Sequence, residues 1–151
     1  MAIKGTNRYF EAMISQGKSP AFSSLLDFLH EMNISYGTEG SKVFLDEDYE
    51  LLAPDLLMEY LSESGFSPPW LQVYRVVTST NDVVMDELSR GSKKECLCLA
   101  EAQTKGKGRR GRIWVSPFGR NVYMSYGFIF ESDISKLEGL SVAVGIEVAE
   151  S

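Results

Sequence analysis

The ten residues Gln103-Thr104-Lys105-Gly106-Lys107-Gly108-Arg109-Arg110-Gly111-Arg112 are the stretch of this chain whose types and spacing most plainly suit chemistry. Lys105, Lys107, Arg109, Arg110 and Arg112 repel one another until an anion neutralises them, and Gly106, Gly108 and Gly111 permit positive φ and close backbone approach. Each charge-assisted hydrogen bond to an anion contributes about 1.5–3 kcal/mol, whereas ordering each backbone residue costs about 1–2 kcal/mol. A ligand must touch many of these residues to hold the segment, which suits a nucleotide phosphate joined to an acyl group better than a lone anion. The three glycines also fit the G-x-G-x-x-G spacing of a dinucleotide fold, but that fold needs a helix to start here. Arg112-Ile113-Trp114-Val115-Ser116 follows instead, and it reads as a strand. A solvated basic loop, a targeting signal and a nucleic-acid patch remain open on these residues alone.

The elements that must position this segment follow from hydrophobic periodicity. Tyr9, Phe10, Met13 and Ile14 make an amphipathic helix over 7–16 that Gly17 stops. Ser19 as N-cap and Pro20 at the first helical position open a second helix to Met32. Residues 34–37 and 42–45 read as a hairpin around Gly37-Thr38-Glu39-Gly40, and a short helix runs from Pro54 to Leu61. Gly65 and Pro68-Pro69 mark the boundary between two parts, and from Leu71 strands alternate with helices. Strands are expected over 71–77, 96–103, 113–115 and 122–130. Ser79 or Thr80 caps a helix over 82–89, and a last helix opens at Asp133 or Ser135 and carries Leu137, Leu140, Val144 and Val148.

Composition narrows the classes further. With 151 residues, 44% hydrophobic and 24% charged, the chain is ordinary globular material. No apolar run nears the ~20 residues of a membrane span and no signal peptide precedes the fold, so a cytoplasmic protein is expected. Cys96 and Cys98 share one face of a strand and suit a reduced pair, not a disulfide. Residues 1–70 carry four Lys/Arg against eleven Asp/Glu, a net of −7, whereas 71–151 carry eleven against ten, a net of +1. His30 stands alone without metal-ligand neighbours, Asp46-Glu47-Asp48 reads as a solvated turn, and no metal site is expected.

Ser79-Thr80-Asn81-Asp82, Ala100-Glu101-Ala102-Gln103, the basic glycine segment and Trp114-Val115-Ser116-Pro117-Phe118-Gly119-Arg120-Asn121-Val122-Tyr123-Met124-Ser125 occur in this order and spacing. Together they closely resemble the catalytic domain of biotin protein ligases over residues 71–151, most strongly over 100–125. The resemblance implies an α+β fold: a mixed, mostly antiparallel sheet flanked by helices, incomplete at its C-terminal side. It also implies a small degenerate winged-helix-like domain with its linker over residues 1–65.

The activity implied is activation of biotin by ATP with Mg2+ to biotinyl-5′-AMP, then transfer to a lysine of a biotin carboxyl-carrier protein domain. Carried over residue by residue, Ser79, Thr80, Asn81 and Gln103 would meet biotin at its ureido ring, joined by Gly106, Lys107 and Arg109. Gly106, Lys107, Gly108, Arg109, Arg110, Gly111 and Trp114 would hold the adenylate, with Arg109 and Arg110 acting at the carboxylate and phosphate. Lys107 stands where the family usually has arginine, which keeps the charge but loses the planar fork. The chain ends before the Lys-Trp-Pro-Asn-Asp stretch that carries the family's lysine and before its small barrel, so catalysis by these 151 residues alone is not expected.

The first half resembles the end of a winged helix-turn-helix with its wing. Its candidate recognition helix holds Asp27 and Glu31 and no Lys or Arg, so no specific DNA binding is expected. Two other readings stand beside the ligase: a relative of the lipoate ligases, and a noncatalytic sensor of biotin or its adenylate. The sequence leaves homodimer formation open.

Overall fold

The computed structural model describes residues 3–91, 95–130, 137 and 139–150. Helix α1 (Ile3–Gln16) buries Phe10 and Met13 on one face, and Gly17 ends it at φ +78°. Ser19 and Pro20 do not start the next helix. They form a short strand β1 (Ser19–Pro20) that pairs antiparallel with β3 (Lys42–Leu45), Ser19 opposite Val43 and Pro20 opposite Lys42. Proline has no N–H to donate, which suits this edge position as well as it suits a helix start. Phe22, extended at φ −142°, then leads into α2 (Ser23–Glu31), whose Leu25, Phe28 and Leu29 point inward.

Strand β2 (Tyr36–Glu39) pairs with β3 from Tyr36 opposite Leu45 to Glu39 opposite Lys42. The expected turn at 37–40 is thereby shortened to Gly40-Ser41, with Gly40 at φ +60°, because tight hairpin turns need the left-handed conformation that glycine adopts freely. The sheet order is β1-β3-β2. Helix α3 (Pro54–Glu63) carries proline in its first turn and buries none of its residues.

The second half opens with β4 (Leu71–Tyr74), α4 (Thr80–Ser89) and β5 (Glu95–Ala100). β4 runs parallel to β5, and β5 runs antiparallel to β8 (Tyr123–Phe128) with Ala100 opposite Tyr123. α4 serves as the crossover and lies on this sheet. A Cβ at Gly127 would come 2.3 Å from Val84 Cγ1, so the glycine lets helix and strand close up. Cys96 and Cys98 form no disulfide and are fully buried beneath Val84, and burial pushes the Cys98 thiol up to about 12. A separate antiparallel pair, β6 (Gln103–Lys107) and β7 (Ile113–Ser116), contains the basic segment. The fold is α+β.

Of the expected last helix, α5 (Leu140–Glu150) is observed, with Leu140, Val144 and Val148 exposed. Its expected start at Asp133 or Ser135 lies outside the described residues. No helix among the described residues is long and apolar enough to cross a membrane.

The core of the first half is completed by the second. Phe118, 2% exposed, sits among Phe10, Met13, Leu25, Leu29 and Val43 and meets Phe10 and Tyr49 edge-on at centroid distances of 5.1 and 5.3 Å. Val76 and Ala102 join the same cluster. Beside it, buried Glu101 accepts the Leu52 N–H at Oε1 over 2.6 Å and the Arg75 guanidinium at 3.1 Å, while Arg75 also donates to the Leu52 carbonyl at 3.2 Å.

Phe118→Ala should destabilise the protein by about 3–5 kcal/mol in a urea melt, since the cavity opens at the junction of both halves. Desolvation raises the Glu101 carboxyl above its ordinary value, against the pull of the Leu52 N–H and Arg75. The folded chain therefore binds that proton more tightly than the unfolded one, so this group's contribution to stability falls as pH rises from the ordinary glutamate value through the raised one. Glu101→Gln should flatten that slope in melts compared across the acidic to neutral range.

Candidate active site at the start of α4 and the basic hairpin

β6 is a strand because its amides have partners on the segment that leads into α4. Thr104 N–H bonds to the Val77 carbonyl at 2.9 Å and Lys105 N–H to that of Thr78 at 2.8 Å, while Val77 N–H bonds to Ala102 O at 3.1 Å. The sequence reading of 103–112 as a loop is therefore corrected: it is the first strand and tip of a hairpin. The register slips between Gln103 and Gly106, and at the tip Arg109–Gly111 leave strand geometry in a short turn, with Arg110 at φ +60° and Gly111 at φ +73°.

The glycines do different work from one another. Gly111 supplies a positive φ at the tip, as expected. At Gly106 the requirement is space: a Cβ would lie 2.5 Å from the Trp114 carbonyl oxygen and 2.8 Å from Ser116 Oγ. Gly108 allows β6 and β7 to close with its N–H on the Arg112 carbonyl at 2.8 Å, where a Cβ would come 3.0 Å from that same oxygen.

At the hairpin's root, the first N–H of α4 finds a side chain in place of a helix carbonyl. Thr80 N–H donates to Gln103 Oε1 at 2.9 Å, and Thr80 Oγ1 donates to the same oxygen at 3.2 Å. Ser125 Oγ lies 2.8 Å from Thr80 Oγ1, and Gln103 Nε2 donates to Ser116 Oγ at 3.0 Å. Ser79 occupies the N-cap position, extended at φ −161°, but makes no side-chain capping bond. Its hydroxyl is buried and has no hydrogen-bond partner among the described residues. The expected Ser or Thr cap is thus replaced by Gln103, since its amide oxygen reaches the Thr80 N–H from the neighbouring strand.

Ser79, Thr80, Gln103 and Gly106 are brought together here. Asn81 is exposed on the outer side of the same helix start, and Lys107 ion-pairs with Asp82 in the first turn of α4, tethering the hairpin to the helix. Both partners of that pair are largely open to solvent, so it contributes about 0–1 kcal/mol. Arg109, Arg110 and Arg112 gather at the tip and, with Gly108, Ile113 and Trp114, line an open hollow of about 530 Å³. Among the described residues no carboxylate lies within 4.0 Å of these three arginines. Trp114 is 60% exposed, so it is a surface aromatic beside the arginines and not part of the core.

Sequence reasoning missed Ser116 and Ser125. Ser125 shares the inward face of β8 with Tyr123 and Gly127, a period-two signal that needs the strand's buried side to be known. Ser116 falls in the expected strand and in the quoted motif, but nothing in the sequence gives its hydroxyl a role. Among the described residues no group of three or more His, Cys, Asp or Glu could hold a metal ion.

Against known proteins, residues 73–151 match the Biotin/lipoate A/B protein ligase family. The bifunctional ligase/repressor BirA of Salmonella typhimurium is 35% identical over 111 residues, 74% of this chain and 33% of that protein. BirA of Escherichia coli is 42% identical over 78 residues, 52% of this chain and 24% of that protein. The chain spans about a third or less of the length of these curated relatives. A biotin protein ligase from Leishmania major in complex with biotinyl-5-AMP superposes at a TM-score of 0.37, with 39% identity over 40% of this chain and 24% of that one. With the match extending over more than half of its residues, the chain belongs to the Biotin/lipoate A/B protein ligase family.

Proposed function

We propose that this chain carries the biotin- and adenylate-binding part of a biotin protein ligase. The observation that carries the reading is the Ser79 hydroxyl, buried beside Thr80 and Gln103 without a partner among the described residues, at the root of a hairpin whose tip gathers three arginines that have no carboxylate partner among them. An unsatisfied buried hydroxyl costs about 1–3 kcal/mol, which a ligand with donors and acceptors at that point would recover. The ureido ring of biotin has both. A site built to hydrogen-bond such a ring rejects analogues that lack it far more strongly than an apolar pocket could.

The reaction joins two anions. A carboxylate oxygen of biotin attacks the α-phosphorus of ATP, pyrophosphate leaves, and a lysine amine of a carrier protein later attacks the acyl carbon and releases AMP. Arg109 and Arg110 at the tip are suited to reduce repulsion between carboxylate and phosphates, and preplaced cations act most strongly where water is excluded. Arg112 adds charge to the same hollow, and the exposed indole of Trp114 offers flat apolar cover for the nucleotide. Ser79, Thr80 and Gln103 orient the ureido end, with Gly106 and Lys107 between the two ends. Asn81, though exposed, stands at the same helix start and stays within the proposed biotin site. Gly108 and Gly111 belong with the adenylate through the backbone they expose.

On this reading residues 71–151 are part of the catalytic domain, incomplete at its C-terminal side, and residues 1–65 form a degenerate winged-helix-like unit. The cytoplasm is the expected setting and a biotin carboxyl-carrier protein domain the expected partner. The outer face of α2 presents Asp27 and Glu31 with no Lys or Arg, which supports the absence of specific DNA binding. A gel shift with a short palindrome is expected to show no retarded band at any salt concentration.

Calorimetric titration with a stable biotinyl-5′-adenylate analogue should show binding that the lipoyl counterpart does not match; preference for the lipoyl compound would favour a lipoate ligase relative. Binding of biotin and ATP to a protein that also contains the family's remaining catalytic residues, without pyrophosphate release, would instead mark a sensor. Arg109→Gly should speed adenylate dissociation by about tenfold or more while leaving the urea midpoint unchanged, because an exposed tip contributes little to packing.

A further inference from the structure

Gln103 has one orientation that satisfies its neighbours, and residues outside the expected site enforce it. The Thr80 backbone N–H can only donate, so it requires Oε1, and Nε2 must then face Ser116 Oγ, 3.0 Å away on β7. Ser116 can accept there because its own hydrogen is directed to the Trp114 carbonyl at 3.3 Å. At the other end, the Thr80 hydroxyl donates to Gln103 Oε1, which leaves Ser125 Oγ, 2.8 Å away, to donate to Thr80 Oγ1. Every hydrogen in this series points the same way: Ser125 to Thr80, Thr80 to Gln103, Gln103 to Ser116, Ser116 to the Trp114 carbonyl. Gly106 leaves the space in which Gln103 Nε2, Ser116 Oγ and Trp114 O converge, since a Cβ there would stand within 3.2 Å of all three.

We propose that Ser116 and Ser125 are positioning residues that fix the amide of Gln103 and the hydroxyl of Thr80, leaving Thr80 Oγ1 as an acceptor toward a bound ligand. The proposal rests on the reading of this cluster as the biotin pocket. Neither serine need touch the ligand. With its hydrogen committed to Gln103, Thr80 can receive an N–H from a cyclic urea, while the unpartnered Ser79 hydroxyl can donate to the urea carbonyl. Loss of Ser116 removes the anchor on Nε2 and leaves the Gln103 amide held at its oxygen alone, so the Thr80–Gln103 bonds loosen and the pocket is less firmly shaped.

The test compares wild type, Ser116→Ala, Ser116→Thr and Ser125→Ala of the full chain by amide exchange at Thr80 in the absence of ligand and by biotin titration. Ser116→Ala should speed Thr80 exchange, move the Gln103 side-chain amide resonances and weaken biotin by about tenfold. Ser116→Thr, which returns the hydroxyl, should restore all three, a rescue that a simple packing role would not give. Ser125→Ala should weaken biotin while leaving the Gln103 resonances closer to wild type, and it tests the other end should Ser116→Ala fail to fold. Thr80 exchange and biotin affinity within about twofold of wild type in the alanine variants would overturn the proposal, as would faster exchange with unchanged affinity. A wild type that binds no biotin would defeat the biotin reading alone, because ligand-free exchange still decides whether the serines position the amide.

Discussion

The bond from the Thr80 N–H to Gln103 Oε1 is the constraint on which the rest of the site depends. A helix begins with N–H groups that its own backbone cannot satisfy, and most helices meet this need with a local serine, threonine or aspartate. Here the oxygen comes from a side chain 23 residues further on, at the first position of β6. Two consequences follow from that one exchange. The start of α4 is locked to the root of the basic hairpin, and the nearby Ser79 hydroxyl is left buried with no partner among the described residues. A helix that capped itself would fill that gap and would leave the hairpin unanchored on this side.

The hairpin's other strand is anchored from the opposite direction. Ser116 faces Gln103, and two residues later Phe118 enters the core of the first half against Phe10 and Tyr49. Arg120 pairs with Glu47 and lies over the Tyr49 ring, 5.7 Å from its centroid, while Glu101 and Arg75 hold Leu52. The acidic first half therefore bears on the root of the hairpin through buried contacts. Its tip, by contrast, rests on little more than turn geometry and the exposed Lys107–Asp82 pair. The polar end of the candidate site is rigidly specified, and the cationic end is open to whatever anion compensates its arginines.

Much of this was legible in the sequence, and the misses have physical causes. The strands that became β4, β5, β7 and β8, the helix α4 between the first two and the burial of Cys96 and Cys98 without a disulfide follow from periodicity. Ser19-Pro20 misled because a serine before proline suits a helix start and an edge strand equally, and only pairing with Val43 and Lys42 decides between them. The basic segment read as a loop because its strand has little apolar alternation; its amides are held by Val77 and Thr78, which no local pattern reveals. Gly106 reads as conformational freedom in sequence, whereas the structure requires its small size. Ser116 and Ser125 gain meaning only once β7 is brought to Gln103 and β8 to Thr80.

The most direct measurement is the biotin dissociation constant of Gln103→Met, which keeps the length of the side chain and removes both its acceptor and its donor. If Gln103 joins the helix start to the hairpin and so shapes the pocket, affinity should fall by at least about tenfold relative to wild type. An unchanged dissociation constant would contradict the account at its centre.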